Sequence, residues 1–139
     1  MIDLHCHILP GLDDGAASLD ESLEMARMAA EDGVGVIACT PHITPGVYDH
    51  HGATIRAGVA DLQAALDAAA IPLSLVIGAD AHIAPGFVDG LRSGAIPSLN
   101  DTRYVLVEPP HHAMPPMIEG FFVQLCAAGY VPVLTHPER

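Results

Sequence analysis

The chain of 139 residues is long enough for one domain with a hydrophobic core, and half of its residues are hydrophobic. Its formal net charge of −12 rests on 17 acidic residues against five basic ones, all of them arginine, so it lacks the positive surface that nucleic-acid binding requires. Its three cysteines are far apart and no apolar run approaches the length of a membrane span. We therefore expect a cytoplasmic protein without structural disulfides, nucleic-acid partners or membrane insertion.

The first seven residues form an apolar run that ends in two histidines, His5 and His7. Side chains two positions apart on a strand share a face, so both imidazoles can reach one metal ion while Cys6 points away. Such a pair is often incidental when it stands alone. Four more apolar, β-branched runs each lead to a possible ligand, namely 34–40 before His42, 73–79 before Asp80, 104–107 before Glu108 and 131–135 before His136.

Segments with helical periodicity alternate with these five predicted strands. The first begins at a capping box, Ser18 to Glu21, and ends at Gly33; three others are predicted around 55–66, 87–92 and 118–128. This alternation predicts an α/β fold of about five parallel β/α units, with the possible ligands at one edge as on the catalytic face of a TIM-like barrel. Five strands are too few to close such a barrel.

Two loops contain further polar residues. In the loop at 8–15, either Asp13 or Asp14 is placed to turn back toward the first two histidines. His50 and His51 lie outside any predicted strand end, and we interpret them as solvent-facing or rim residues rather than ligands.

The motifs together resemble the PHP (polymerase and histidinol phosphatase) superfamily, and within it the CpsB-type manganese-dependent tyrosine phosphatases of bacterial capsule and exopolysaccharide synthesis. The resemblance spans the whole chain. It rests on His5-Cys6-His7, Asp13-Asp14-Gly15, Pro41-His42, Gly78-Ala79-Asp80, the segment 96–104 that runs into Glu108, and His136-Pro137-Glu138-Arg139.

This resemblance implies a distorted seven-stranded barrel that holds up to three divalent metal ions, with manganese as the first choice and iron, zinc or cobalt as alternatives. His5 and His7 would hold the first metal with Asp80, which would bridge to a second metal bound by Glu108 and His136. Asp14 would share the third metal with His42. Arg139 would grip the phosphate of the substrate, so that Asp80 and Arg139 are the expected catalytic residues.

Two features depart from the family pattern. The bridging carboxylate is usually Glu, and Asp80 is one methylene shorter. The family also continues through two more strands that carry an Asp-x-His pair, which has no counterpart in this sequence. We therefore expect residues 1–139 to form a single metallophosphatase domain that is truncated at its C-terminal end, with an incomplete barrel.

The implied function is metal-dependent hydrolysis of phosphotyrosine in proteins that regulate capsular or exopolysaccharide synthesis. The expected partner is a phosphotyrosine-bearing protein, such as a bacterial tyrosine kinase of polysaccharide synthesis, and an oligomer is compatible with this function. A histidinol-phosphate phosphatase and a metal-binding but inactive fragment or interaction module are the alternatives. A metal-dependent amidohydrolase is disfavoured because the chain has no lysine for the carbamylated bridge usual in that class.

Overall fold

The computed structural model describes residues 1–110 and 116–138, which contain seven short strands and four α-helices. The strands are β1 Ile2–Cys6, β2 Val36–Cys39, β3 His42–Ile43, β4 Ser74–Ile77, β5 Asp80–His82, β6 Tyr104–Glu108 and β7 Val131–Leu134. The helices are α1 Leu19–Glu31, α2 Gly52–Ala68, α3 Phe87–Ser93 and α4 Ile118–Ala127, and a 3-10 turn at Leu99–Asp101 precedes β6.

All strand pairs among the named strands are parallel, in the orders β1-β2-β4 and β3-β5-β6-β7. The predicted α/β fold with a parallel sheet is confirmed, and the described residues do not form a closed barrel. Because β3 follows β2 and β5 follows β4 almost directly, the strands occupy five successive positions. These are the five positions that the sequence predicts.

Two of the predicted strands are interrupted, which the sequence analysis did not anticipate. The run 34–40 yields only β2 and breaks before Pro41, and the run 73–79 yields β4 and breaks at Gly78. Proline has no N–H to donate to a ladder, and a Cβ at Gly78 would lie 2.9 Å from the Thr40 side chain. As a result His42 and Asp80 begin the short strands β3 and β5, where they are paired in register.

The first helix begins where the sequence predicts, with a modified cap. The Ser18 hydroxyl accepts the N–H of Glu21 at 3.3 Å, and the Glu21 carboxylate accepts the N–H of Ala17 at 2.7 Å instead of that of Ser18. Gly33 has a φ of +86°, in the left-handed region that favours glycine. No helix among the described residues is long and apolar enough to cross a bilayer.

Helices pack on one side of the two sheets. Strand side chains such as Ile37 and Ile77 pack with Ile55, Leu62 and Leu66 of α2, and a second cluster joins β5 and β6 to α3 and α4. The opposite side forms a cavity of about 350 Å³. We call it the concave face; its apolar lining comprises Ile2, Leu4, Val36, Ala38, Val76, Leu99, Tyr104 and Val133.

Candidate metal centre

The carboxyl end of β1 brings two imidazoles together. The register of β1 against β2 shifts between Asp3 and Cys6, and the N–H of His5 donates to the Asp3 carboxylate at 3.0 Å. After this shift the Nε2 atoms of His5 and His7 lie 3.1 Å apart, whereas Cys6 packs toward the helix-covered core. Two imidazole nitrogens this close require a proton or a cation between them, because their lone pairs repel.

Asp80 is the fully buried carboxylate at the centre of this group. Its Oδ1 accepts a hydrogen bond from the Thr135 hydroxyl at 2.7 Å, while no donor among the described residues meets Oδ2 with hydrogen-bond geometry. That oxygen lies 3.3 Å from His5 Nε2, 3.7 Å from His42 Nδ1 and 3.8 Å from His136 Nε2. A buried acceptor surrounded by imidazoles fits a divalent cation, which would satisfy the carboxylate and the ring nitrogens together.

The possible ligand atoms form three overlapping groups within the described residues, each with atoms within 4.8 Å of one another: His5, His7 and Asp80; His42, Asp80 and Glu108; and His7, Asp14 and His42. Asp80 belongs to two of them, the position that a bridging carboxylate requires. Seven sequence-predicted ligands thus lie in one region, six of them in these groups.

His136 is the seventh, and it lies at the edge of the groups. Its ring is 5.1 Å from that of His5, and its Nδ1 is 3.2 Å from the Glu138 carboxylate. It has a φ of +46°, a backbone conformation that costs free energy outside glycine and is found preferentially at functional sites. Arg139, the predicted phosphate-binding residue, lies outside the described residues.

The buried carboxylates raise the pKa of two candidate ligands. The contact with Asp80 raises the pKa of His5, and that with Glu108, at 3.2 Å, raises the pKa of His42, in each case against the opposing effect of burial. Asp80 and Asp14 add to the shift at His42. The same negative potential that favours a proton on these rings favours a metal cation between them.

The sequence does not decide which of the neighbouring residues Asp13 and Asp14 faces the candidate metal positions, and the structure gives them different surroundings. Asp14 is 67% exposed, and its Oδ1 lies 3.6 Å from His42 Nε2, on the side of the imidazoles. Asp13 is 1% exposed and lies behind His7, with its Oδ2 2.7 Å from His7 Nδ1. Burial disfavours the charged form of Asp13, but hydrogen bonds from His7 and from the N–H groups of His42 and Gly15 outweigh it and hold the pKa of Asp13 below its ordinary value.

Sequence reasoning missed two residues beside the site. Thr135, which bonds to Asp80, directly precedes His136, and its position at a buried strand end was the available signal. Tyr48 stacks on His42 with ring centroids 5.7 Å apart and planes at 12°, and no sequence pattern pointed to it. The ring of His50, which we predicted to be solvent-facing or at the rim, stacks near that of Tyr48, with the two ring centroids 6.3 Å apart.

Comparison with known proteins gives a consistent set of relatives. The family model described as capsular polysaccharide synthesis, CpsB/CapC, matches residues 1–139. The tyrosine-protein phosphatase YwqE of Bacillus subtilis (strain 168) is 42% identical over 139 residues, which are 100% of this chain and 55% of YwqE. The putative tyrosine-protein phosphatase CapC of Staphylococcus aureus is 30% identical over 100% of this chain and 54% of its own length.

A solved structure agrees with these sequence matches. It comes from crystal structures of YwqE from Bacillus subtilis and CpsB from Streptococcus pneumoniae, described as unique metal-dependent tyrosine phosphatases. Its TM-score is 0.95 at 41% identity, and the match covers 99% of this chain and 56% of that chain. The chain spans about half the length of the curated relatives it matches.

Proposed function

Because the chain belongs to the CpsB/CapC family of capsular polysaccharide synthesis, we propose that it carries metal-binding machinery of a metal-dependent protein-tyrosine phosphatase. The observation that carries the proposal is the fully buried Asp80, whose Oδ2 faces the nitrogens of three histidines without a hydrogen-bond donor among the described residues. The relatives named as tyrosine phosphatases support the choice of substrate class.

His5, His7 and Asp80 would hold one divalent ion. Glu108 and His136 would hold a second together with Asp80, and Asp14 and His42 would hold a third. His42 Nδ1 also approaches Glu108 Oε2 at 3.2 Å, so His42 stands between the second and third positions. Imidazole and carboxylate ligands suit manganese, our first choice, as well as iron, zinc and cobalt.

When bound, such ions would supply a hydroxide nucleophile, because a metal lowers the pKa of its bound water, and would offset the negative charge of a phosphoryl group. The residues of the chain hold this arrangement in place, with Asp80 fixed at one oxygen by Thr135. Neither Cys6 nor Cys39 is suited to act as a nucleophile, because Cys6 packs toward the helix-covered core and Cys39 is fully buried. Burial also raises the pKa of the Cys6 thiol to about 11 and that of the Cys39 thiol to about 12.

The substrate is a phosphotyrosine side chain of a protein. We assign to Arg139 the role of binding two phosphate oxygens through its planar guanidinium. The phenolate leaving group, whose pKa is about 10, needs less proton assistance than an alkoxide. A bacterial tyrosine kinase of capsular or exopolysaccharide synthesis, in the cytoplasm, is the proposed partner.

The five strand positions form an unclosed arc of the distorted seven-stranded barrel of the PHP superfamily, and residues 1–139 belong to a single metallophosphatase domain. The strand order β1-β2-β4 continued by β5-β6-β7, with the candidate ligands at one edge, supports this interpretation.

The test measures manganese content and phosphotyrosine-peptide hydrolysis by the protein that contains this chain. Asp80→Ala should abolish hydrolysis and reduce bound manganese, Asp80→Glu should retain or raise hydrolysis, and Asp89→Ala, at an exposed carboxylate on α3, should change neither. Less than about half an equivalent of manganese per chain, or normal turnover in Asp80→Ala, would overturn the metal mechanism. Bound manganese without hydrolysis would identify an inactive binding module. A kcat/KM that is higher for histidinol phosphate than for the phosphotyrosine peptide would overturn the substrate class.

A further inference from the structure

Asp13 is a buried carboxylate that contacts two candidate metal ligands without facing the metal positions itself. Its Oδ2 lies 2.7 Å from Nδ1 of His7 and accepts the N–H of His42 at 2.9 Å. Its Oδ1 accepts the N–H of Gly15 at 3.0 Å. From this geometry we propose that Asp13 is a positioning residue, which holds His7 in the tautomer protonated at Nδ1 and so leaves Nε2 as its metal-binding atom.

The 2.7 Å contact between Asp13 and His7 fixes the position of the ring proton. An ionised carboxylate only accepts hydrogen bonds, so a neutral His7 ring must carry its proton on Nδ1 to make this contact. Nε2 then presents a lone pair, and that atom lies 3.1 Å from Nε2 of His5. A carboxylate behind a ligating histidine is a common way to fix the ring orientation and raise its basicity.

The hydrogen bond from His42 extends this role to a second element. His42 begins β3 and His7 follows β1, so one oxygen of Asp13 sets the distance between the His7 ring and the backbone of β3. The loop is pressed against β1 at Gly15, where a Cβ would collide with the carbonyl and Cβ of His7. Asp13 is therefore held on both sides, as a positioning group must be.

This contact also decides between two groups that share His7. One group combines His7 with His5 and Asp80, and the other combines it with Asp14 and His42. The Nδ1 atom of His7 is 3.8 Å from Oδ1 of Asp14. With Nδ1 occupied by Asp13, Nε2 joins the group of His5 and Asp80. Asp14 is left to act with His42. The inference rests on the proposed metal-dependent function, but the tautomer it predicts is a property of the metal-free chain.

The test uses the chain labelled with ¹⁵N and stripped of metal, at a pH where histidine is neutral. Two-bond ¹H–¹⁵N spectra distinguish the two tautomers of each ring. We expect His7 to be protonated at Nδ1 in the wild type and to shift toward protonation at Nε2 in Asp13→Ala. Asp13→Asn should keep the Nδ1 proton, because its amide oxygen can still accept from His7, and Asp14→Ala, at the neighbouring exposed carboxylate, should leave the tautomer unchanged.

Manganese affinity of the same proteins supplies the second measurement. Loss of a carboxylate behind a ligating histidine typically weakens metal binding by about 10–100-fold, so Asp13→Ala should lose affinity in that range and Asp13→Asn less. Protonation at Nε2 in the wild type would overturn the proposal without any variant, even if Asp13→Ala fails to fold. An unchanged tautomer or affinity in a folded Asp13→Ala would also overturn it. Absence of manganese binding in the wild type with the predicted tautomer would instead count against the proposed function alone.

Discussion

The two carboxylate oxygens of Asp80 face different groups, one a hydroxyl and the other a set of imidazoles. Thr135 donates to Oδ1 at 2.7 Å, which turns the other oxygen toward the nitrogens of His5, His42 and His136. Asp is one methylene shorter than Glu, yet its Oδ2 lies within 3.8 Å of a nitrogen of each of these three histidines. The Asp80 side chain is therefore long enough to reach all three rings from the first residue of β5.

Substitution of Thr135 tests this arrangement. Thr135→Val keeps the shape of the side chain but leaves a buried carboxylate oxygen without its donor, which should lower the free energy of unfolding of the metal-free chain by about 1–3 kcal/mol. Thr135→Ser retains the hydroxyl group and should lose less. Urea unfolding of the three proteins measures the difference, and equal losses in both variants would show that the methyl group, not the hydrogen bond, matters.

At the residue scale the sequence predicts which groups meet and leaves their individual orientations open. His5, His7, Asp80 and Glu108 lie together because parallel strands present their carboxyl ends at one edge. Asp13 and Asp14 cannot be distinguished in the same way, because a loop has no periodicity that assigns a side chain to one face. The distinction comes from the close packing of Gly15 on His7, a contact between residues eight apart.

At the scale of the elements, the helices follow the sequence closely and two of the strands do not. Apolar periodicity and the Ser18 and Gly33 signals place α1 correctly. The interruption between β2 and β3 falls at Thr40 and Pro41, and Pro41 was its visible signal. The break at Gly78 depends on the approach of Leu99 and Thr40 from distant segments, which local sequence does not show.

An exposed ion pair joins α2 to the 3-10 turn. Arg56 donates two hydrogen bonds to Asp101, at 2.8 Å and 3.0 Å, and the guanidinium lowers the pKa of Asp101. A carboxyl group with a lowered pKa stabilises the fold above its ordinary pKa, and this contribution is lost as the pH falls through the folded-state value. Both side chains are more than half exposed, so the pair should contribute less than about 1 kcal/mol.

The variant Asp101→Asn should therefore be slightly less stable than the wild type at neutral pH and equally stable in acid. Asn also tolerates the left-handed backbone of this position, where φ is +54°, so the comparison isolates the charge. Urea unfolding at both pH values measures the effect, with Arg56→Gln as the matched control. Two results would contradict a coupled pair. One is a stability difference between wild type and Asp101→Asn that grows as the pH falls. The other is a double variant, Arg56→Gln with Asp101→Asn, whose loss of stability equals the sum of the two single losses.

For the whole molecule, the alternation of strands and helices is enough to predict the α/β class, because parallel strands need helical crossovers. The concave face is not predictable in this way, because its lining comes from strands and a turn that lie far apart in the sequence. Among the described residues it includes the buried side chains of Ala38 and Leu99, whereas Ile2 is 64% and Leu4 51% exposed.

This apolar surface should bind a hydrophobic dye and promote self-association of the isolated chain, because exposed apolar patches are associated with both. Ile2→Thr removes apolar area from the concave face at the end of β1 away from His5, and Thr is compatible with a strand. We expect this variant to bind less dye and to associate less, as measured by fluorescence and analytical ultracentrifugation. Val123→Thr on α4 is the matched control, since Val123 is 68% exposed and lies outside the concave face. Equal reductions in the two variants would place the dye elsewhere, and a wild-type chain that is monomeric and binds no dye would show that the concave face is covered in solution.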